Sequence, residues 1–214
     1  MTDMINLDTD SWNADMYSNM FSSDVDGYNL ILFLIDCSGS VGGTILGSIK
    51  NIMEEISSEH DNSNTKIMVA QLSGSLQWLN ETPAAIETFT NWRKLTSGGT
   101  LDLGHCFKML ADKVNSDDWD AFEKSAKIIK FILISDGMSA DFYEEGLKLL
   151  KETKAFRKAK KYAVNLCDVS WTIQQDIKEF RVLKNFTENS ECFFDMSSMD
   201  SEKVEKALEK IIFG

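Results

Sequence analysis

The run ILFLIDCSGSVGG, Ile31 to Gly43, decides how this chain folds. Five consecutive apolar residues lead into Asp36, and serines follow at positions 38 and 40. A short apolar run without alternation, bounded by small residues, reads as a strand buried on both faces. The carboxylate and the two hydroxyls then project beyond the strand's carboxyl end. Hard oxygen ligands of that kind suit a small divalent cation such as Mg2+.

Asp and Ser are common residues, so the motif by itself is a modest signal. Two later stretches complete it. Ser97-Gly-Gly-Thr100 is a glycine-rich loop ending in a hydroxyl, and IIKFILISDGMSAD, from Ile128, is a second apolar strand with Asp136 at its end. In an open α/β sheet, ligands sit outside the carboxyl ends of the strands where the strand order reverses. If the strands ending in Asp36 and Asp136 are neighbours across that point, their carboxylates meet over one crevice.

At 214 residues and 43% hydrophobic content, the chain can hold one α/β domain with a sizeable core. Acids outnumber bases 34 to 22, for a net charge of −12. That balance disfavours nucleic-acid backbones and anionic membranes and concentrates cations. Cys37, Cys106, Cys167 and Cys192 show no CxxC spacing, so they read as free thiols rather than a zinc site. The first 29 residues hold six aspartates, no Lys or Arg, and no signal-like apolar run. No stretch approaches the length of a bilayer span. The chain is therefore expected in the reducing cytoplasm. Residues 1–27 read as an acidic arm that either frays or lies along the domain surface, or else is a docking segment with Met20 and Phe21 as anchors; residues 28–214 are expected to form the folded domain.

Strand and helix patterns alternate from Asn29 onward. Strands are expected at Leu30–Ile35, Lys66–Leu72, Leu76–Leu79, Ile128–Ser135, Lys161–Leu166 and Cys192–Phe194. Helices are expected near 43–58, 102–114 and 141–158, around Ile173, Ile177, Phe180 and Leu183, and at 200–212. The short Ser73-Gly-Ser turn makes the third strand antiparallel to the second. SDDWDAFEK reads as a loop with a helical turn. The whole is a doubly wound α/β fold, a mostly parallel sheet with helices on both faces.

These residues resemble a von Willebrand factor type A (VWA) domain with a metal-ion-dependent adhesion site. That family carries Asp-x-Ser-x-Ser after its first strand, a threonine in a later loop and an aspartate after its fourth strand. Asp36, Ser38 and Ser40 match the first element, Thr100 the second and Asp136 the third. The phrase LTSGGTxxxG further resembles bacterial TerY-like members, associated with tellurium-resistance and stress-response clusters, although AVNLCDVS lacks glycines usual after the fifth strand. The resemblance implies a Rossmann-like sheet of six strands, order 3-2-1-4-5-6, with strand 3 antiparallel. It also implies a bound Mg2+, with Mn2+ or Ca2+ as substitutes, that captures an Asp or Glu of a partner protein.

Each ligand has a plainer alternative. Asp36 and its serines could cap the following helix. Thr100 could cap the helix near Asp102, with Thr96 as its nearest rival, and Asp136-Gly137 also spells a turn. Gly98 and Gly99 are expected to let the loop backbone approach the site closely. Asp102 and Asp141 are either supporting acceptors or solvated carboxylates, and Ser139 is a candidate for the rim. Trp78 and Trp92 read as packing residues, and neither His60 nor His105 has a triad or metal pattern. The first functional reading is a non-enzymatic, metal-dependent interaction module. The alternative is a haloacid-dehalogenase-type phosphotransfer enzyme with Asp36 as nucleophile, which would want an acid where Ser38 stands. Ser40-Val-Gly-Gly fits no nucleotide-binding loop, and no GxSxG occurs.

Overall fold

The computed structural model describes residues 27–59, 64–165 and 176–214, with side chains at 176–180 excepted. The expectations for residues 1–26, His60, Leu166, Cys167, Ile173 and the side chains of Ile177 and Phe180 lie outside the described residues.

The elements are, in chain order, β1 (Tyr28–Asp36), α1 (Gly43–Glu59), β2 (Thr65–Leu72), β3 (Leu76–Trp78), β4 (Ala84–Ala85), α2 (Leu103–Val114), α3 (Asp117–Ser125), β5 (Ala126–Ile134), α4 (Tyr143–Glu152), α5 (Lys154–Lys158), β6 (Lys160–Asn165), α6 (Asp176–Thr187), β7 (Phe193–Asp195) and α7 (Ser201–Phe213). The sheet runs β3-β2-β1-β5-β6-β7, with β4 paired to β2 beside β3. β1 is parallel to β2 and β5, β5 to β6 and β6 to β7, while β3 and β4 run antiparallel to β2. The expected order holds, with β4 added as a two-residue edge strand that Pro83 had obscured.

The opening run explains the layering. Leu30, Leu32 and Leu34 enter one core with residues of α2, α3, α4, α5 and α6. Ile31, Phe33 and Ile35 enter the other, with α1, α7 and the loop aromatics Phe89 and Trp92. Side chains alternate between sheet faces, so a strand covered on both sides must be apolar throughout. Every residue from Leu30 to Ile35 has 0% exposure. Trp92 is a core residue as expected, set edge-on to Phe33 and Phe89 and bonded from Nε1 to Ser57 Oγ at 3.1 Å.

Two expectations need correction. SDDWDAFEK forms a full helix, α3: Ser116 caps it by accepting from Trp119 N, three acids occupy the first turn, and Trp119 is buried. Caps and acids at an amino end stabilise a helix that polarity alone reads as loop. The expected single helix over 141–158 is broken at Thr153, whose Oγ1 donates to Leu150 O and accepts from Phe156 N to start α5.

Candidate functional site

The strand order reverses between β1 and β5, and both end in buried acids. Ile35 pairs with Ile134, which sets Asp36 beside Ser135 and next to Asp136. Asp36 is 0% and Asp136 5% exposed. Asp36 Oδ1 accepts from Ser38 N at 2.9 Å, and Oδ2 accepts from Ser135 Oγ at 2.7 Å. Ser38 Oγ and Ser40 Oγ lie 3.0 Å apart. Burial pushes the Asp36 carboxyl above its usual range and the charge of Asp136 adds to this, while hydrogen bonds from Ser135 and Ser38 pull it back.

Three loops are stitched together around this point. Gly39 N donates to Gly99 O at 3.0 Å and Gly98 N to Cys37 O at 2.8 Å, fixing the Thr100 loop against the serine loop. Ala140 N donates to Leu101 O at 2.7 Å, and Leu103 N to Ser139 Oγ at 3.0 Å, tying the Thr100 loop to the loop after β5. Ser38, Ser40, Thr100 and Gly137 then line one cleft of about 510 Å3, with Met138, Ser139 and Phe142 along its rim. Phe142 is 92% exposed.

All five expected residues therefore gather at the carboxyl ends of β1 and β5. Asp36 and Asp136 are buried beneath, and Ser40 and Thr100 stand exposed. Thr96 is not among the cleft residues; its N–H donates to Gln71 Oε1. Thr100 does not cap α2. Asp141 does so from the other loop, accepting from Gly104 N and His105 N at 2.9 Å each, and Ser139 Oγ donates to Asp141 Oδ1 at 2.7 Å. Asp141 is thus a loop-fastening acceptor, whereas Asp102 makes no side-chain cap. His105 is exposed on α2.

The expectation for the glycine pair is corrected too. A Cβ on Gly98 or Gly99 would meet nothing within 4 Å, so close approach is not the reason for them. Gly99 has φ +77° and Gly137 φ +78°, the left-handed region that side chains disfavour. Sequence reasoning missed Ser135, whose hydroxyl links Asp36 to Gly137 N. The serine before Asp136 was its only signal.

The donor set fits a hard divalent ion. It comprises oxygens alone, two carboxylates and three hydroxyls, and no cationic side chain bonds Asp36 among the described residues. Elsewhere Glu55 and Glu59 on α1 and Glu205 on α7 bring carboxylates within 4.8 Å of one another, a surface cluster in a highly acidic chain. Cys37 and Cys106 are buried free thiols whose pKa values burial pushes up to about 12.

The von Willebrand factor type A domain model matches residues 31–210. The chain belongs to the VWA domain family. Its fold is similar to the pilus adhesin SpaC from Lactobacillus rhamnosus GG in its open conformation, at 11% identity and TM-score 0.64, covering 87% of this chain and 30% of that one. It is also similar to proximal thread matrix protein 1 from the mussel byssus, at 17% identity and TM-score 0.60, covering 87% and 46%. A VWA protein from Catenulispora acidiphila matches at 12% identity and TM-score 0.59, covering 87% and 42%. At these identities the likeness is one of fold. This VWA domain spans less than half the length of each of the three. No curated protein sequence matches the chain. VWA domains commonly mediate protein–protein interaction or adhesion. The haloacid-dehalogenase alternative gains no support from the family match. No helix among the described residues is long and apolar enough to cross a membrane.

Proposed function

We propose that this VWA domain is a divalent-metal-dependent protein–protein interaction module. Asp36, Ser38, Ser40, Thr100 and Asp136 hold a Mg2+, and the ion takes an Asp or Glu side chain from a partner. The observation that carries this reading is the pair of buried carboxylates beneath hydroxyls that line one open cleft. Two neighbouring carboxylates out of water are costly without a compensating cation. When bound, the ion supplies a Lewis-acidic point for an outside carboxylate, because two acids only balance its charge and the hydroxyls are neutral. Ser135 and Ser38 orient Asp36, and the stitched loops hold Thr100 over the same cleft.

Thermal melting of the full chain in MgCl2, MnCl2, CaCl2 or EDTA tests the reading. A hundredfold excess over the dissociation constant contributes about 2.7 kcal/mol, which raises the melting temperature by roughly 5–10 °C in a chain of this size. Asp36→Ala abolishes the rise. A wild-type melting temperature indifferent to metal overturns the proposal. For the carboxylate, a peptide bearing a single Glu binds in Mg2+ but not in EDTA, and its Gln counterpart binds in neither.

The phrase from Leu95 to Gly104 supports a finer proposal, a TerY-like role in stress or tellurium resistance. Tellurite resistance restored to a strain lacking the gene by the wild-type copy but not by Asp36→Ala is its test. The free thiols Cys37, Cys106 and Cys192 support a place in the reducing cytoplasm. Cell fractionation checks it.

A further inference from the structure

The cleft above Asp36 is larger and more apolar than the capture of one carboxylate requires. Its volume, about 510 Å3, is of the size that takes a whole small ligand, and an acidic group on the ion fills a small part of it. Beyond the oxygen donors, the lining includes Leu101, Met138, Ala140, Phe142 and Tyr143. Phe142 is 92% and Met138 44% exposed, so two large apolar side chains stand in water on one rim.

The loop that carries them is fastened at both ends. Met138 N donates to Asp136 Oδ1 at 2.8 Å, and Ala140 N to Leu101 O at 2.7 Å. On the far side, Asp141 caps α2, and Tyr143 Oη accepts from Asn185 Nδ2 at 3.2 Å. Between them the Phe142 carbonyl lies hard against α2, 2.6 Å from where a Cβ on Gly104 would stand. The backbone is therefore held on either side of a solvated aromatic ring. A ring so placed loses little conformational freedom when a partner covers it.

Charge works against an acidic visitor at this rim. The charged side chains in the lining, among the described residues, are Asp141 and Glu144, in a chain of net charge −12. An outside carboxylate meets that like charge before it reaches the ion. Asp and Glu are also common on protein surfaces, so an ion by itself discriminates poorly between partners. Apolar burial is indifferent to the repulsion and supplies the missing selectivity.

We propose that Phe142 and Met138 form an apolar anchor beside the metal, and that the segment of the partner protein seated here presents a large aliphatic or aromatic side chain close to its acidic one. The proposal rests on the reading of Asp36 and its companions as a metal site, and it names the partner chemistry that this site selects.

Fluorescence anisotropy of the full chain with labelled peptides in MgCl2 tests it. The probes are glycine heptapeptides with a central Glu, alone or with Leu one, two or three places to either side. At least one Leu register is expected to bind roughly tenfold more tightly than the peptide without Leu. Phe142→Ala brings the two within about twofold of each other, whereas Phe142→Leu keeps most of the preference. Leu149→Ala, a change at an exposed residue of α4 outside the cleft, keeps all of it. No binding by any peptide, equal affinity for all of them, or a preference untouched by Phe142→Ala overturns the proposal even where Mg2+ raises the melting temperature. A Leu preference that survives in EDTA makes the rim a site of its own and overturns its pairing with the metal. Absence of the melting rise is the failure of the metal reading itself, and the joint site falls with it.

Discussion

Asp136 lies two residues beyond β5, with its carboxylate buried and Oδ1 accepting from Met138 N at 2.8 Å. Asp136→Asn keeps an oxygen acceptor for that N–H and removes one of two neighbouring negative charges. In EDTA this variant melts no lower than wild type, and in Mg2+ it lacks the wild-type rise; a large loss of stability in EDTA would show that Asp136 is a structural acceptor first. The thiols at this scale are inert for a stated reason. Burial pushes Cys37 and Cys106 up to about 12, so neither is a thiolate at pH 8. Mass mapping after iodoacetamide at that pH finds both unmodified in the native chain and both alkylated in denaturant.

At the scale of elements, the site depends on how α2 crosses α4. A Cβ on Gly146 would lie 2.0 Å from Gly104 O, and one on Gly104 would lie 2.7 Å from Asp141 Oδ2. Gly104→Ala therefore pushes out the carboxylate that caps α2 and loosens the loop from Met138 to Asp141. A loss of about 1–3 kcal/mol follows from such overpacking, with weaker Mg2+ binding, read by denaturant unfolding and calorimetry. Midway along β5, Lys130 donates to Ile211 O at 2.9 Å and Ile212 O at 3.0 Å, closing the carboxyl end of α7. Lys130→Met leaves those carbonyls without a donor and costs about 1–3 kcal/mol. Burial lowers the lysine's pKa, so the unfolded chain holds that proton more tightly than the folded one. The wild-type margin over Lys130→Met accordingly grows as pH rises through the window just below the ordinary lysine value. Urea unfolding at a series of alkaline pH values measures it.

Across the whole molecule, the sheet sorts its charges by end. The carboxyl ends of β1 and β5 carry buried acids beneath the loops, and the amino ends of β5 and β6 carry lysines. Much of this was legible in advance. Alternating apolar strands and amphipathic helices gave a mostly parallel sheet covered on both faces, because a strand so covered has no room for polar residues, and the family resemblance implied the strand order. The Asp36, Ser38 and Ser40 spacing was local, and Asp136 was marked by the apolar strand before it. Helix α3 was obscured because its single buried anchor, Trp119, sits among charges. Strand β4 is two residues long and carries no period to read.

Sequence alone determined which residues bear oxygens and which runs must be buried, since periodicity and composition are properties of neighbours along the chain. Only the tertiary structure decided that Ser135 would hold Asp36, that Asp141 rather than Thr100 would cap α2, and that the glycines at 104 and 146 would meet. Those contacts join residues tens of positions apart. Their energies depend on strand register and helix crossing, which exist only once the sheet has formed.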